Sequence, residues 1–355
     1  MSGQSEFLPG QRQARRLDLH SGTVQMNHGA GGRAMTDLID LLFRKAFDNP
    51  LLNQANDQAR FHVPAQDMVM TTDSFVISPL FFPGGDIGSL AVHGTVNDLA
   101  MGGAEALYLT ASFILEEGLP LADLARIVDS MAAAAREAGV QIVSGDTKVV
   151  ERGKGDGVFI NTAGIGRVIA GVNVSGDRAR PGDKVLISGT IGDHGVAVMS
   201  LRQGLSFSTQ LRSDSASLNG LVAVMAARAG PSLKVLRDPT RGGVAATLNE
   251  VAQQSGVGIQ LQETALPVRP EVRGACELLG LDPLNVANEG KLLVICEADV
   301  ADELLATMQQ QPLGRDAAII GEVIEDPLLL LRMTTHIGGD RVVDWLHGEQ
   351  LPRIC

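Results

Sequence analysis

The sequence predicts two α/β domains in series, and three observations carry that prediction. Strand-like and helix-like segments alternate twice along the chain. The stretch AGVNVSGDRARPGD at 170–183, rich in Gly and charge and holding a Pro, separates the two series. The chain's 355 residues also exceed what one hydrophobic core ordinarily organises. A hydrophobic content of 45% excludes a disordered chain, and apolar runs fall short of the roughly 18 residues of a membrane span.

Taken in order, residues 1–20 read as a disordered leader. MSGQSEFLPGQRQARR lacks the apolar segment of a secretory signal and carries too little Arg for a transit peptide, so a cytoplasmic location is expected. The first domain, 21–170, opens with TVQMNHGAGGRAMTDLIDLLFRKAF: a strand, a Gly-rich turn, then a helix with Met35, Leu38, Ile39, Leu42 and Ala46 on one face. The strand MVMTTDSF follows, then a helix from about Ile87, the strand ALYLTASFIL, the helix LADLARIVDSMAAAAREAG, and the strands VQIVSG and FINTAGIG. The second domain, 180–345, runs through KVLISG, a helix after GDHG, LKVLRD, the helix GGVAATLNEVAQQSG, GIQLQE, LLVIC, the helix DVADELLATMQQ, AAIIGEVIE and LLLLRM. Residues 346–355 have no periodicity and read as a flexible tail. Fully extended, such a tail reaches roughly 33 Å, far enough to carry its last residue, Cys355, into a cleft.

A net charge of −12 with one Trp and one Tyr disfavours nucleic acid as a partner. It leaves nucleotides open, because backbone amides and metal ions bind phosphate locally. Three cysteines, Cys276, Cys296 and Cys355, form no CxxC pair, as suits a reducing compartment. The seven histidines show no zinc-ligand spacing.

His28-Gly29-Ala30-Gly31-Gly32 precedes a helix, where backbone amides and the helix dipole can hold a phosphate; a plain tight turn gives the same pattern. More telling are the acids beside Gly or Thr at the ends of apolar runs. These are Asp73 in TTDSF, Asp98 after Asn97 in GTVNDLAMGG, Asp146 in SGDTK and Asp238 in RDPTRGG. Singly, each reads as a cap or turn. Jointly they suit Mg²⁺, a hard ion that shares oxygen ligands with substrate phosphates. Lys148 and Arg241 suit phosphate charge or an ordinary surface position, and Glu289 in NEG suits a general base or a structural turn.

Together HGAGG, TTDSFVISPLFFPGGDIG, GTVNDLAMGGAEALYL, SGDTKVVERG, GTIGDHG, DPTRGGV, NEGKL and the terminal PRIC resemble the HypE family of hydrogenase maturation factors, the carbamoyl dehydratases. The resemblance spans about Thr23 to Cys355. It implies the two-domain α/β fold of aminoimidazole ribonucleotide synthetase, selenophosphate synthetase and thiamine-monophosphate kinase, with an N-terminal sheet that pairs across a homodimer.

The same resemblance implies ATP and Mg²⁺ held at Gly31, Gly32, Asp73, Asn97, Asp98, Asp146, Thr147 and Arg241, with Asp73, Asp98, Asp146 and Asp238 toward the metal. By that resemblance, a carbamoyl group delivered by the carbamoyltransferase HypF to Cys355 is expected to be dehydrated to a thiocyanate and passed to the HypC–HypD complex. The resemblance also implies Lys148 and Glu289 near the thiocarboxamide. A solvent-borne thiol beside Arg353 ionises more readily than a buried one. The leader before Leu17 stands outside the family pattern, and HGAGG lacks the reactive Cys of selenophosphate synthetase. Two other readings remain open at this stage: a synthetase or kinase of this superfamily acting on a free small molecule, and a nucleotide-sensing adaptor with a docking tail.

Overall fold

The computed structural model describes residues 17–29, 33–50, 52, 66–204, 211–344, 351 and 353–355. Gly31 and Gly32, the leader to Arg16, residues 345–350 and Pro352 lie outside them. In the first half, α1 (Arg33–Leu38) and α2 (Arg44–Ala46) flank a π-helical turn at Ile39–Phe43. β1 (Met68–Phe75), the short pair β2 (Phe81–Phe82) and β3 (Gly85–Asp86), α3 (Ile87–Met101), β4 (Ala104–Glu116), α4 (Leu121–Ala138), β5 (Gln141–Val150) and β6 (Val158–Val168) follow.

Alternation sets the first sheet. Along β1, Met68, Met70, Thr72 and Ser74 are exposed, whereas Val69, Thr71, Asp73 and Phe75 turn inward. The strand order is β1-β6-β4-β5, so β1 and β5 are opposite edges. One face is covered by α3 and α4. On the other, Met70 is 76% and Ile114 46% exposed.

The capping box at Asp86 starts α3: its Oδ1 accepts from the amides of Gly88 at 2.8 Å and Ser89 at 3.0 Å, and Ser89 Oγ answers the Asp86 amide at 3.1 Å. Thirteen of the fifteen residues of α3 are buried, as expected for a helix enclosed on every side. It rests on β1, β6 and β4 and also touches the second half of the chain.

That second half contains β7 (Lys184–Ile187), α5 (Asp193–Arg202), α6 (Asn219–Ala229), β8 (Leu233–Arg237), α7 (Gly243–Ser255), β9 (Gly258–Gln262), α8 (Pro270–Leu279), β10 (Leu293–Cys296), α9 (Ala301–Gln309), β11 (Ala318–Ile324), β12 (Leu331–Thr334) and β13 (Asp340–Val342). Its seven-stranded sheet has the order β13-β12-β9-β11-β7-β10-β8. Both faces are buried: Val185, Ile187, Leu293 and Ile295 pack with α7, and Leu186, Leu236, Val294 and Cys296 pack with α6 and α9. This explains why its strands read as continuous apolar runs. Ala100 and Met101 at the end of α3 join the α6–α9 core, so α3 is wedged between the two sheets. Among the described residues no helix is long and apolar enough to cross a membrane.

Candidate functional site

The wedge position of α3 brings acids from both halves together. Asp73 projects from β1 toward α3, Asp98 lies on α3, Asp238 directly follows β8, and Glu289 sits in the loop before β10. Thr71 Oγ1 donates to Asp98 Oδ2 at 2.9 Å. Burial raises the pKa of Asp73 against a bond from the Ser74 amide and the charge of Arg241. Burial also raises Asp98, with Asp73 adding to the effect. Asp238 is pushed up to about 7 by burial and then by Asp98. Glu289 is raised well above its ordinary value by burial, then by Asp238, Asp214 and Asp73, and only Arg241 acts in the other direction. Crowded carboxylates with raised proton affinity mark a site built to take up positive charge.

The acids Asp73, Asp98 and Asp238 offer the hard oxygen donors that suit Mg²⁺. Among the described residues, however, no three His, Cys, Asp or Glu side chains are arranged to hold a metal ion by themselves. An ion here would complete its shell with phosphate oxygens.

Glu289 is held in place by its neighbours in sequence and space. Asn288, fully buried, accepts from the Gly192 amide at 2.8 Å and donates to the carbonyls of Pro239 at 2.9 Å and Val286 at 3.0 Å. At Gly290 a Cβ would stand 1.8 Å from the Asp214 carbonyl oxygen, so only glycine lets the 214–216 strand of chain pass. The Asp214 carboxylate accepts from the amides of Glu289 and Gly290, both at 3.2 Å. Burial opposes the Asp214 charge, but Lys291 at 3.1 Å and these amides outweigh it and hold its pKa low. The Glu289 side chain is 4% exposed, and its Oε1 has no hydrogen-bond partner among the described residues.

Asn97 proves to be a staple. Its amide donates to the carbonyls of Ala216 at 3.0 Å and Glu289 at 3.4 Å and accepts from the Leu218 amide at 2.7 Å. These bonds orient the 216–218 segment and Glu289.

The C-terminus enters this cleft. Ile354 is buried in the first core, and the Val76 amide donates to the Cys355 carbonyl at 3.1 Å. The half-buried Cys355 thiol is pushed up to about 12, by burial first and then by Glu289, with Arg241 acting against them. The readily ionised thiol expected beside Arg353 belongs to a tail in solvent, and the seated tail is the buried case. Arg353 turns away to pair with Asp156 and donates to the Val76 carbonyl at 3.0 Å, and desolvation decides the state of the sulfur.

Asp146, Thr147 and Lys148 are placed elsewhere. They lie within β5, not at a strand end, because β5 runs on to Val150. Three inter-strand spacings separate β5 from β1, roughly 14 Å. Asp146 and Lys148 are 56% and 63% exposed and pair with each other at 2.7 Å, and Thr147 is buried. Within one chain, then, Asp146 does not join Asp73, Asp98 and Asp238, nor does Lys148 meet Glu289 and Cys355. The turn at Met26–Gly29, with His28, packs against this same β5, so the two groups of candidate residues lie on opposite edges of one sheet. The sequence reading also passed over Asp214 and His194; the GDHG motif was visible, but a histidine without zinc spacing gave no other signal.

Comparisons with known proteins match both halves of the chain. Residues 55–168 match the N-terminal domain model of AIR synthase related proteins, and residues 180–332 match the C-terminal one. The chain is 65% identical over 340 residues to the carbamoyl dehydratase HypE of Azotobacter vinelandii, covering 96% of this chain and 99% of that protein. A crystal structure of HypE in complex with ATP superposes with a TM-score of 0.90 at 52% identity, covering 93% of this chain and 99% of that one. The crystal structure of a HypE–HypF complex matches with a TM-score of 0.77 at 54% identity, over 87% of this chain and 99% of that one. With both domain models matched and the likeness extending over nearly the whole length, this chain belongs to the HypE carbamoyl dehydratase family.

Proposed function

We propose that this chain dehydrates a carbamoyl group carried on its own Cys355, using ATP, to supply the cyanide ligand for NiFe hydrogenase maturation. The observation that carries the reading is the convergence of the C-terminal thiol, the unpartnered Glu289 Oε1 and the Asp73–Asp98–Asp238 cluster in one cleft. The relative solved with ATP supports ATP as the phosphoryl donor, and the relative solved with HypF supports HypF as the protein that loads the tail.

In this mechanism the loaded tail is a thiocarboxamide, S–C(=O)–NH₂. Its carbonyl oxygen attacks the γ-phosphorus, ADP leaves, and the oxygen becomes part of a phosphate leaving group. Loss of both N–H protons and departure of phosphate break the C–O bond and close C≡N. The products are thiocyanate, ADP, phosphate and a proton. Glu289, its carboxylate form favoured by the charge of Arg241, accepts an amide proton. Asp73, Asp98 and Asp238 would hold Mg²⁺, which when bound offsets triphosphate charge.

The two groups of candidate residues support a homodimer in which the β5 edge of one subunit, with Asp146, Thr147 and Lys148, meets the β1 edge of the other. The HypC–HypD complex then takes the cyano group. The test is mass spectrometry of the C-terminal peptide after incubation with HypF, carbamoyl phosphate and ATP–Mg²⁺. Wild type is expected to gain a carbamoyl group on Cys355 and lose one water only with ATP, and Cys355→Ala to gain nothing. An active HypF preparation that leaves the tail unmodified refutes the reading.

A further inference from the structure

Helix α5 grips the tail at both of its ends. At its first turn His194 is fully buried, and its Nε2 lies 2.7 Å from the carbonyl oxygen of Ile354. A carbonyl only accepts, so Nε2 carries the hydrogen. Nδ1, 2.8 Å from Ser213 Oγ, is then the acceptor of that hydroxyl in the neutral ring. Burial favours this neutral form by lowering the imidazole pKa, and the ring stands edge-on to Phe82 with centroids 5.5 Å apart. Ser213 is itself anchored to the first half of the chain, its amide donating to the Pro83 carbonyl at 2.7 Å. At the last turn of α5, Arg202 donates to the carbonyls of both Ser78 and Arg353. Leu351 packs over Gly195, where a Cβ would come within 3.3 Å of its Cδ1.

These bonds address the tail's main chain, not the sulfur, so they hold the tail whether or not Cys355 is loaded. The seat they define disfavours the thiolate that loading requires and places the sulfur beside Glu289. We propose that His194, with Arg202, is the positioning latch of the carrier tail, and that its grip sets the division of the tail between a loading state outside the cleft and a dehydration state within it. This inference rests on the carrier-tail reading above and adds to it the residues that hold the tail.

A latch makes a prediction that a merely structural residue does not: weakening it moves two steps in opposite directions. His194→Phe keeps a ring against Phe82 and removes the donor to Ile354, whereas His194→Gln restores an amide donor. Arg202→Met tests the other end of the helix. In the full-length chain, with folding checked by thermal melting, the rate at which iodoacetamide alkylates Cys355 is read from the C-terminal peptide. His194→Phe and Arg202→Met are expected to raise that rate roughly tenfold, the scale of one buried hydrogen bond left without its partner, and His194→Gln to return it toward wild type. With HypF the same two variants should carbamoylate Cys355 at least as fast as wild type and lose water in the presence of ATP more slowly by a similar factor. Equal alkylation rates in all four proteins, or carbamoylation and dehydration slowed together, overturn the latch. Faster alkylation in the variants, when wild type itself shows no ATP-driven loss of water, upholds the latch and refutes the dehydratase reading.

Discussion

Glu289 combines three properties in one carboxyl group: near-complete burial, a backbone fixed on both sides, and an oxygen without a hydrogen-bond partner among the described residues. Glu289→Gln preserves shape and removes the proton acceptor. We expect it to retain ATP binding and carbamoylation at Cys355 and to slow dehydration on the order of a hundredfold or more, measured as water loss from the loaded peptide. Asp238 makes a different prediction. Its folded-state pKa of about 7 stands above the ordinary 3.8, so the folded protein binds this proton more tightly than the unfolded chain does. The stabilisation is complete below pH about 4 and is lost as pH rises through about 7. Asp238→Asn should therefore raise Tm relative to wild type at pH 8, with the difference closing toward pH 4. A variant with the same Tm difference at both pH values would show that the carboxyl does not titrate in this way.

At the scale of the element, most of the regular structure was legible. MVMTTDSF, ALYLTASFIL and the helix beginning at Leu121 carry their periods openly, and the apolar runs KVLI and LVIC became central strands buried on both faces. The apolar run VQIVSG ends before Asp146, but β5 continues through Lys148 to Val150 because its polar residues alternate along an edge. Which acids meet could not be read from the chain, since that depends on the strand order β1-β6-β4-β5, a property of long-range pairing. The main-chain bonds of Asn97 are illegible for a related reason: an amide bonded to distant main chain looks, in sequence, like any other. Asn97→Ala should cost about 2–4 kcal/mol, because the Leu218 amide and the Ala216 carbonyl lose their partner inside the protein. Chemical denaturation would measure it, and a change below about 0.5 kcal/mol would contradict the staple.

For the whole molecule, the proposed pairing of the β5 edge of one subunit with the β1 edge of another makes each site span two chains. Asp73→Asn and Lys148→Ala homodimers should each be inactive in dehydration. Mixing them equally, with exchange of subunits, leaves half the dimers mixed, and each mixed dimer has one site free of both substitutions and one carrying both. About a quarter of wild-type activity should return. No recovery after verified exchange would place both residues in the same subunit's site.

The burial of the other two cysteines has a consequence for chemical selectivity. Cys276 and Cys296 lie within packed cores, with thiols pushed up to about 11 and about 12 by desolvation. Neither offers an electrophile a usable nucleophile in the native state. Once the tail leaves its cleft, Cys355 is the one sulfur in the chain open to acylation. Regioselectivity is thus built into the acceptor's own packing, and a transferase that merely activates a carbamoyl group would modify the right atom without distinguishing one cysteine from another.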